Sequence, residues 1–268
     1  ALFGLDAATG EQQWQRDDVV IQSAPAIAGG LVFVVDADNR VRALELATGE
    51  DRWSSEPFDR VPMFAIDEAH DSVIATTASG LVAARSIDNG DERWSVDVGV
   101  GPLGTPLVAN GAVLVPFEGG VAKLDGATGE TGSIAQGAFS GIPGLALAND
   151  TLVVAADVLV VALDRNTLET IWINQDLSGL TGSLALGSDG VFVTNNDRSL
   201  IALDLETGKQ EWTLPLDDVA QAAPAATNDG LFLATRAGSV FAFGHAASGV
   251  IVASVSSPTS DDPVFAVP

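Results

Sequence analysis

The sequence predicts an all-β chain, a seven-bladed β-propeller of four-stranded antiparallel blades closed by strands from both termini. Three observations predict it. All five tryptophans (Trp14, Trp53, Trp94, Trp172 and Trp212) recur at spacings of 39, 41, 78 and 40 residues, and 78 is twice 39. Each period holds four short apolar runs separated by Gly, Asn and Asp. The two ends of the chain each supply part of one further unit. A period near 40 residues is the size of one propeller blade.

The unit Ser23–Glu56 shows the four runs most clearly. Pro25-Ala26-Ile27-Ala28 is followed by Gly29-Gly30, then Leu31-Val32-Phe33-Val34-Val35. After Asp36-Ala37-Asp38-Asn39 comes Arg40 to Glu45, then an Ala47-Thr48-Gly49 turn and Asp51-Arg52-Trp53. Val, Ile and Phe in runs of this length, bounded by turn residues, read as strands. The turn before each Trp has a mechanism. Asp6, Asp125 and Asp204 can accept backbone N–H bonds from the residues just ahead, and the following Gly10, Gly129 or Gly208 supplies the positive φ. Glu45 with Gly49, and Ser86 with Gly90, hold the same positions in two other copies. Asp164 begins a copy with Leu168 in place of Gly, and the copy at Gly129 has Ser133 in place of Trp. A Trp on the outermost strand can cover the seam between neighbouring sheets. A sheet apolar on both faces has to stack against its neighbours.

Taken in order, the complete units span about 23–56, 62–97, 105–136, 142–176, 182–217 and 223–256. Residues 1–17 supply two strands of a closing blade, and 261–268 supply another through Pro263-Val264-Phe265-Ala266-Val267. Together these make one domain over 1–268.

The pattern Ala-x-Asp-x-x-Thr-Gly-x-x-x-Trp, nearly complete at Ala202 to Trp212, resembles the PQQ-like (quinoprotein-type) β-propeller repeat. The resemblance covers essentially the whole chain and speaks to fold more than to function. Relatives of this kind include quinoprotein alcohol dehydrogenases, the propeller lipoprotein of outer-membrane protein assembly, and sensor domains of bacterial kinases. It implies work outside the cytoplasm, in the periplasm or at the cell surface. The dehydrogenases of the family hold PQQ with Ca²⁺ and a catalytic Asp under a disulfide of adjacent cysteines. This chain has no Cys, no insertions between blades to build a lid, and no ligand set that maps residue by residue. The expectation is therefore a non-catalytic binding or scaffolding domain, with no cofactor unless a Ca²⁺ ion.

Charge is the second signal. Asp and Glu number 36 against 12 Lys and Arg, a net charge of −24, with only Lys123 and Lys209 as lysines. Such a chain repels nucleic-acid phosphates and anionic membranes, and favours cations and basic protein partners. High-salt solubility would need the same composition. No run is long enough for a membrane-spanning helix. No signal peptide is visible and the chain does not begin with Met, as in a mature or trimmed form.

The acids are concentrated where one unit joins the next: Asp17-Asp18, Glu56 and Asp59, Asp97, Asp176, Asp217-Asp218, and Asp261-Asp262. In a propeller these connectors lie on one face, opposite the Thr-Gly turns. The residues form the candidate binding face, either for a hard cation, which takes six to eight oxygens, or for a Lys/Arg-rich partner segment. The alternative is a protein-assembly or receptor domain that uses the opposite face. Other patterns carry less. Asp36-Ala37-Asp38-Asn39 lacks the Gly and distal Glu of an EF-hand loop. His70 and His245 share no motif and read as surface residues rather than ligands. Gly99 to Gly104 has a proline inside it and no helix after it, so it is a connector and not a phosphate loop.

Overall fold

The computed structural model describes residues 1–101, 103–137, 139–187, 190–226, 230–244 and 251–256. Asp261, Asp262, His245 and the segment 263–267 lie outside the described residues. The chain divides into two compact units, Ala1–Ile142 and Pro143–Pro268.

In the first unit, β1 (Leu2–Leu5) and β2 (Gln12–Arg16) form a two-stranded sheet. The second sheet has β3 (Ala26–Ala28), β4 (Leu31–Val35), β5 (Val41–Glu45) and β6 (Asp51–Ser54). The third has β7 (Met63–Asp67), β8 (Ser72–Thr76), β9 (Leu81–Ser86) and β10 (Glu92–Asp97). The fourth has β11 (Leu107–Ala109), β12 (Ala112–Phe117), β13 (Gly120–Asp125) and β14 (Thr131–Gln136). The second unit holds the fifth sheet, β15 (Gly144–Ala148), β16 (Thr151–Ala156), β17 (Leu159–Asp164) and β18 (Thr170–Asn174). Its sixth sheet is β19 (Leu180–Leu186), β20 (Gly190–Asn195), β21 (Ser199–Asp204) and β22 (Gln210–Pro215). Its seventh is β23 (Ala225–Ala226), β24 (Gly230–Ala234), β25 (Ser239–Gly244) and β26 (Ile251–Ser256). Every sheet is antiparallel, with strands bonded in chain order. The turn between β7 and β8 is one short 3₁₀ segment, Glu68–His70.

The two-residue period of a strand explains the core. On β4, Val32 and Val34 pack with Leu2 of the first sheet, while Phe33 and Val35 pack with Val73 and Ala75 of the third. On β8, Ile74 points the other way, to Val113, Val115 and Phe117 of the fourth sheet. Val153, Ala155 and Val160 meet Val191, Val193 and Ile201 in the same fashion in the second unit. Central strands buried on both faces read as continuous Val/Ile/Leu/Ala runs for this reason. Tight hairpins at Gly29-Gly30 and Asn110-Gly111 take positive φ at both central residues, the geometry that matches strand twist.

The Trp and Gly of the repeat meet across sheet boundaries. The Trp14 indole N–H donates to the Leu46 carbonyl at 2.8 Å, Trp53 to Ile87 at 2.7 Å, Trp94 to Gly126 at 2.9 Å and Trp172 to Leu205 at 2.9 Å. Each acceptor lies in the glycine-closed turn of the next sheet, a Thr-Gly turn except after Ile87, where it is Asn-Gly. The ring itself covers that turn's glycine: a Cβ on Gly49 or Gly90 would sit 2.6 Å from the indole of Trp14 or Trp53. Their φ values, +71° and +75°, add a second reason for glycine. Each Trp also faces a small residue on its own sheet, namely Gly4, Ala43, Ala84, Ala162 and Ala202. At Ser133 the Trp is missing. Lys123 then stands where the other sheets carry Ala or Gly, and the next turn along the chain carries Leu168, at φ +59°, where the others carry Gly.

Candidate functional site

The Thr-Gly turns are tightly bonded. Asp6 Oδ1 accepts from the backbone N–H of Ala8 and Thr9 at 3.0 and 2.8 Å and from the Thr9 hydroxyl at 3.0 Å. Asp125 and Asp164 repeat the arrangement with Thr128 and Thr167, and Asp204 with Thr207. At Asp6 the largest cause is the Thr9 backbone N–H; at Asp125 and Asp204 it is the Thr128 and Thr207 hydroxyl. All three carboxyls are held below the usual value, since each bond favours the charged form.

Several of the connector acids are held by neighbouring donors. Asp17 accepts from the Gln15 side-chain amide at 2.8 Å. Asp18 is bound by the Arg16 guanidinium at 2.7 Å, which lowers its carboxyl to about 2. Arg16 also reaches Asp51 at 2.9 Å and the Gly49 carbonyl at 2.6 Å, and Arg42 links Asp51 to the buried Asp36. That chain of charges ties the first sheet to the second. Asp97 Oδ1 accepts the Gly99 N–H at 2.8 Å, and Asp218 Oδ1 the Val219 N–H at 2.7 Å. Asp217 is held by the Ser239 hydroxyl, which depresses its carboxyl. Glu56, Asp59 and Asp176 are exposed. Among the described residues, no three of His, Cys, Asp and Glu come close enough to hold a metal ion. Asp17, Asp18, Asp97, Asp217 and Asp218 each find a donor close by in their own loop or on a neighbouring strand.

Two expectations follow. Added CaCl₂ should raise the thermal midpoint no more than NaCl matched for ionic strength. A Ca²⁺-specific rise that saturates by low millimolar would overturn this. Acid should destabilise the first unit through Asp18. Its folded value is below the ordinary 3.8, so the stabilisation is present above about pH 4 and is lost as pH falls through the folded value near 2. Thermal melts from pH 5 to 2, compared with Asp18→Asn, read this directly; the variant should lose part of the dependence.

His70 is not an isolated surface residue. Its Nδ1 lies 2.8 Å from Oδ2 of Asp67, which is 1% exposed, and Asp67 Oδ1 accepts the His70 backbone N–H at 3.3 Å. The pair packs on Gly126, where a Cβ would fall 2.8 Å from the carboxylate and 2.9 Å from the ring. The adjoining cleft, of about 280 Å³, is lined by Ile66, Asp67, Glu68, Ala69, Val108, Ala109, Asn110 and Gly111. Asp67 and Glu68 are its charged lining residues. Removing the ring in His70→Ala strands part of a buried carboxylate and should cost about 1–3 kcal/mol in urea unfolding.

Among the described residues, no helix is long and apolar enough to cross a membrane. A sequence profile of the family described as outer membrane protein assembly factor BamB matches residues 1–174 and 156–259. BamB of Shewanella oneidensis is 25% identical over 230 residues, covering 73% of this chain and 57% of that protein. The serine/threonine-protein kinase AfsK of Streptomyces griseus is 30% identical over 144 residues, covering 47% of this chain and 18% of the kinase. The chain thus spans less than two thirds of the length of these relatives. The crystal structure of BamB from Moraxella catarrhalis superposes with a TM-score of 0.79 at 20% identity, over 95% of this chain and 82% of that one. A computationally designed protein, Ika8, gives 0.82 at 18% identity over 96% and 81%. At these identities the two structures speak to the fold, a β-propeller of PQQ-like repeats. With the profile spread over most of its length, the chain belongs to the family of outer membrane protein assembly factor BamB.

Proposed function

We propose that the chain is a non-catalytic scaffold that holds a protein partner during protein assembly outside the cytoplasm. The observation that carries this is the chain-long match to a family of assembly factors. Supporting it, the repeat residues are engaged in joining sheets. The same reading takes the sheets as a ring of seven blades. The first sheet would be completed on the open side of β1, where Phe3 and Leu5 are about half exposed, by a strand from residues 261–268. Deleting 261–268 should then lower the thermal midpoint; an unchanged midpoint would remove the closure.

The partner segment proposed for the connector face is basic, because Glu56, Asp59 and Asp97 are exposed acids on a chain of net charge −24. A Lys/Arg-rich peptide should bind with an affinity that falls as salt rises. Glu56→Gln/Asp59→Asn/Asp97→Asn should weaken it while the fold holds. Equal affinity in that variant sinks the connector face. A second reading, a sensor region, rests on the kinase match. Its mark would be a change of oligomeric state on peptide binding, whereas a scaffold binds without one.

A further inference from the structure

Five of the outermost strands carry the repeat Trp, and the residues beside it face solvent. In β2 these are Gln13 and Gln15, in β6 Arg52 and Ser54, in β10 Arg93 and Ser95, and in β22 Glu211 and Thr213. Polar and charged residues are the usual protection of a sheet edge against pairing with another chain. The strand β18 departs from this. Trp172 is flanked by Ile171 and Ile173, each 52% exposed. Both are β-branched, in a strand with no Lys, Arg or Pro. Among the described residues β18 pairs only with β17, so its other edge is open. Exposed Glu169 precedes the strand and exposed Asp176 follows it.

We propose that the open edge of β18 receives an extended strand from a partner protein, one with apolar side chains at alternate positions and basic residues at both ends. The added strand would bond to the free main-chain groups of β18, and its apolar side chains would lie against Ile171 and Ile173. Charge complementarity selects this occupant. Glu169 and Asp176 favour Lys or Arg at the ends of the strand, whereas a second copy would bring an equal charge of −24 to the same edge. The inference deepens the scaffold reading and rests on it only in taking the occupant to be protein.

The test uses the full chain and a labelled peptide, Lys-Lys-Val-Thr-Val-Thr-Val-Lys-Lys, followed by fluorescence anisotropy. The expected result is saturable binding, at least fivefold weaker to Ile171→Thr/Ile173→Thr and to a peptide of the same composition without the alternation. Hydrogen exchange should show new protection within 170–174 when the peptide is bound. The Thr variant keeps β-branching and an exposed position, and an unchanged thermal melt verifies its fold. No binding at millimolar peptide, or equal binding by the Thr variant, overturns the proposal. Loss of binding in the Glu56/Asp59/Asp97 variant alone would move the peptide to the connector face, overturning the β18 site while leaving the scaffold reading intact. A concentration-dependent dimer that Ile171→Thr/Ile173→Thr abolishes would overturn the separate partner in favour of a second copy.

Discussion

Replacing Trp53 by alanine is expected to destabilise the protein by about 2–4 kcal/mol, toward the lower end for a core aromatic because the ring is only partly buried. Three losses combine. The ring leaves its contact with Phe33, 5.9 Å away between centroids. It uncovers the cluster that joins the second and third sheets. The Ile87 carbonyl loses its donor at 2.7 Å. The thermal midpoint should fall by about 4–16 °C, given about 2–4 °C per kcal/mol for chains of this size. Trp53→Phe separates the parts. It keeps most of the apolar surface and removes the donor, so it should cost about 1 kcal/mol. If the alanine variant loses less than about 1 kcal/mol in urea unfolding, the indole is not what joins these sheets.

Gly90→Ala should cost about 3 kcal/mol. Roughly 1–2 kcal/mol belongs to placing a side chain at φ +75°. The rest comes from the Trp53 ring, which the new methyl would meet at 2.6 Å. A double-mutant cycle tells the two apart. In a Trp53→Ala background the methyl has room, and Gly90→Ala should cost only the backbone part. Equal costs in both backgrounds would mean the ring and the glycine do not interact.

These residues were legible before any coordinates, and the reason is repetition. An Asx-turn needs an Asp, two N–H groups and a residue tolerant of positive φ within five positions, so a linear pattern contains all of its geometry. The alternation on β4, Val32 and Val34 one way and Phe33 and Val35 the other, is likewise local. The acidic connectors show where this reasoning stops. That Asp17 to Asp218 fall between units could be read from spacing. That Asp18 is bound by Arg16, and Asp217 by Ser239, depends on side-chain directions that spacing does not encode. Asp67 with His70 escaped notice for a related reason: the turn between β7 and β8 is longer than its counterparts, and the motif comparison has nothing to align there. Ile171 and Ile173 stand out in the sequence only against their counterparts. Comparing the neighbours of each Trp, rather than the Trp itself, separates Ile-Trp-Ile from Gln-Trp-Gln, Arg-Trp-Ser and Glu-Trp-Thr in one line.

Among the described residues, the four indole bonds run one way along the chain, from the outer strand of one sheet to the turn of the next. Loosening is therefore directional. If the first sheet peels away, Trp14 leaves with it, without its acceptor, and the turn around Gly49 stays behind uncovered. If the fourth sheet loosens instead, Trp94 is left with a donor and no acceptor. An amphipathic ring so exposed is a recognisable handle for chaperones and proteases, and at each such seam it goes with the earlier sheet while the later one keeps a bare glycine turn.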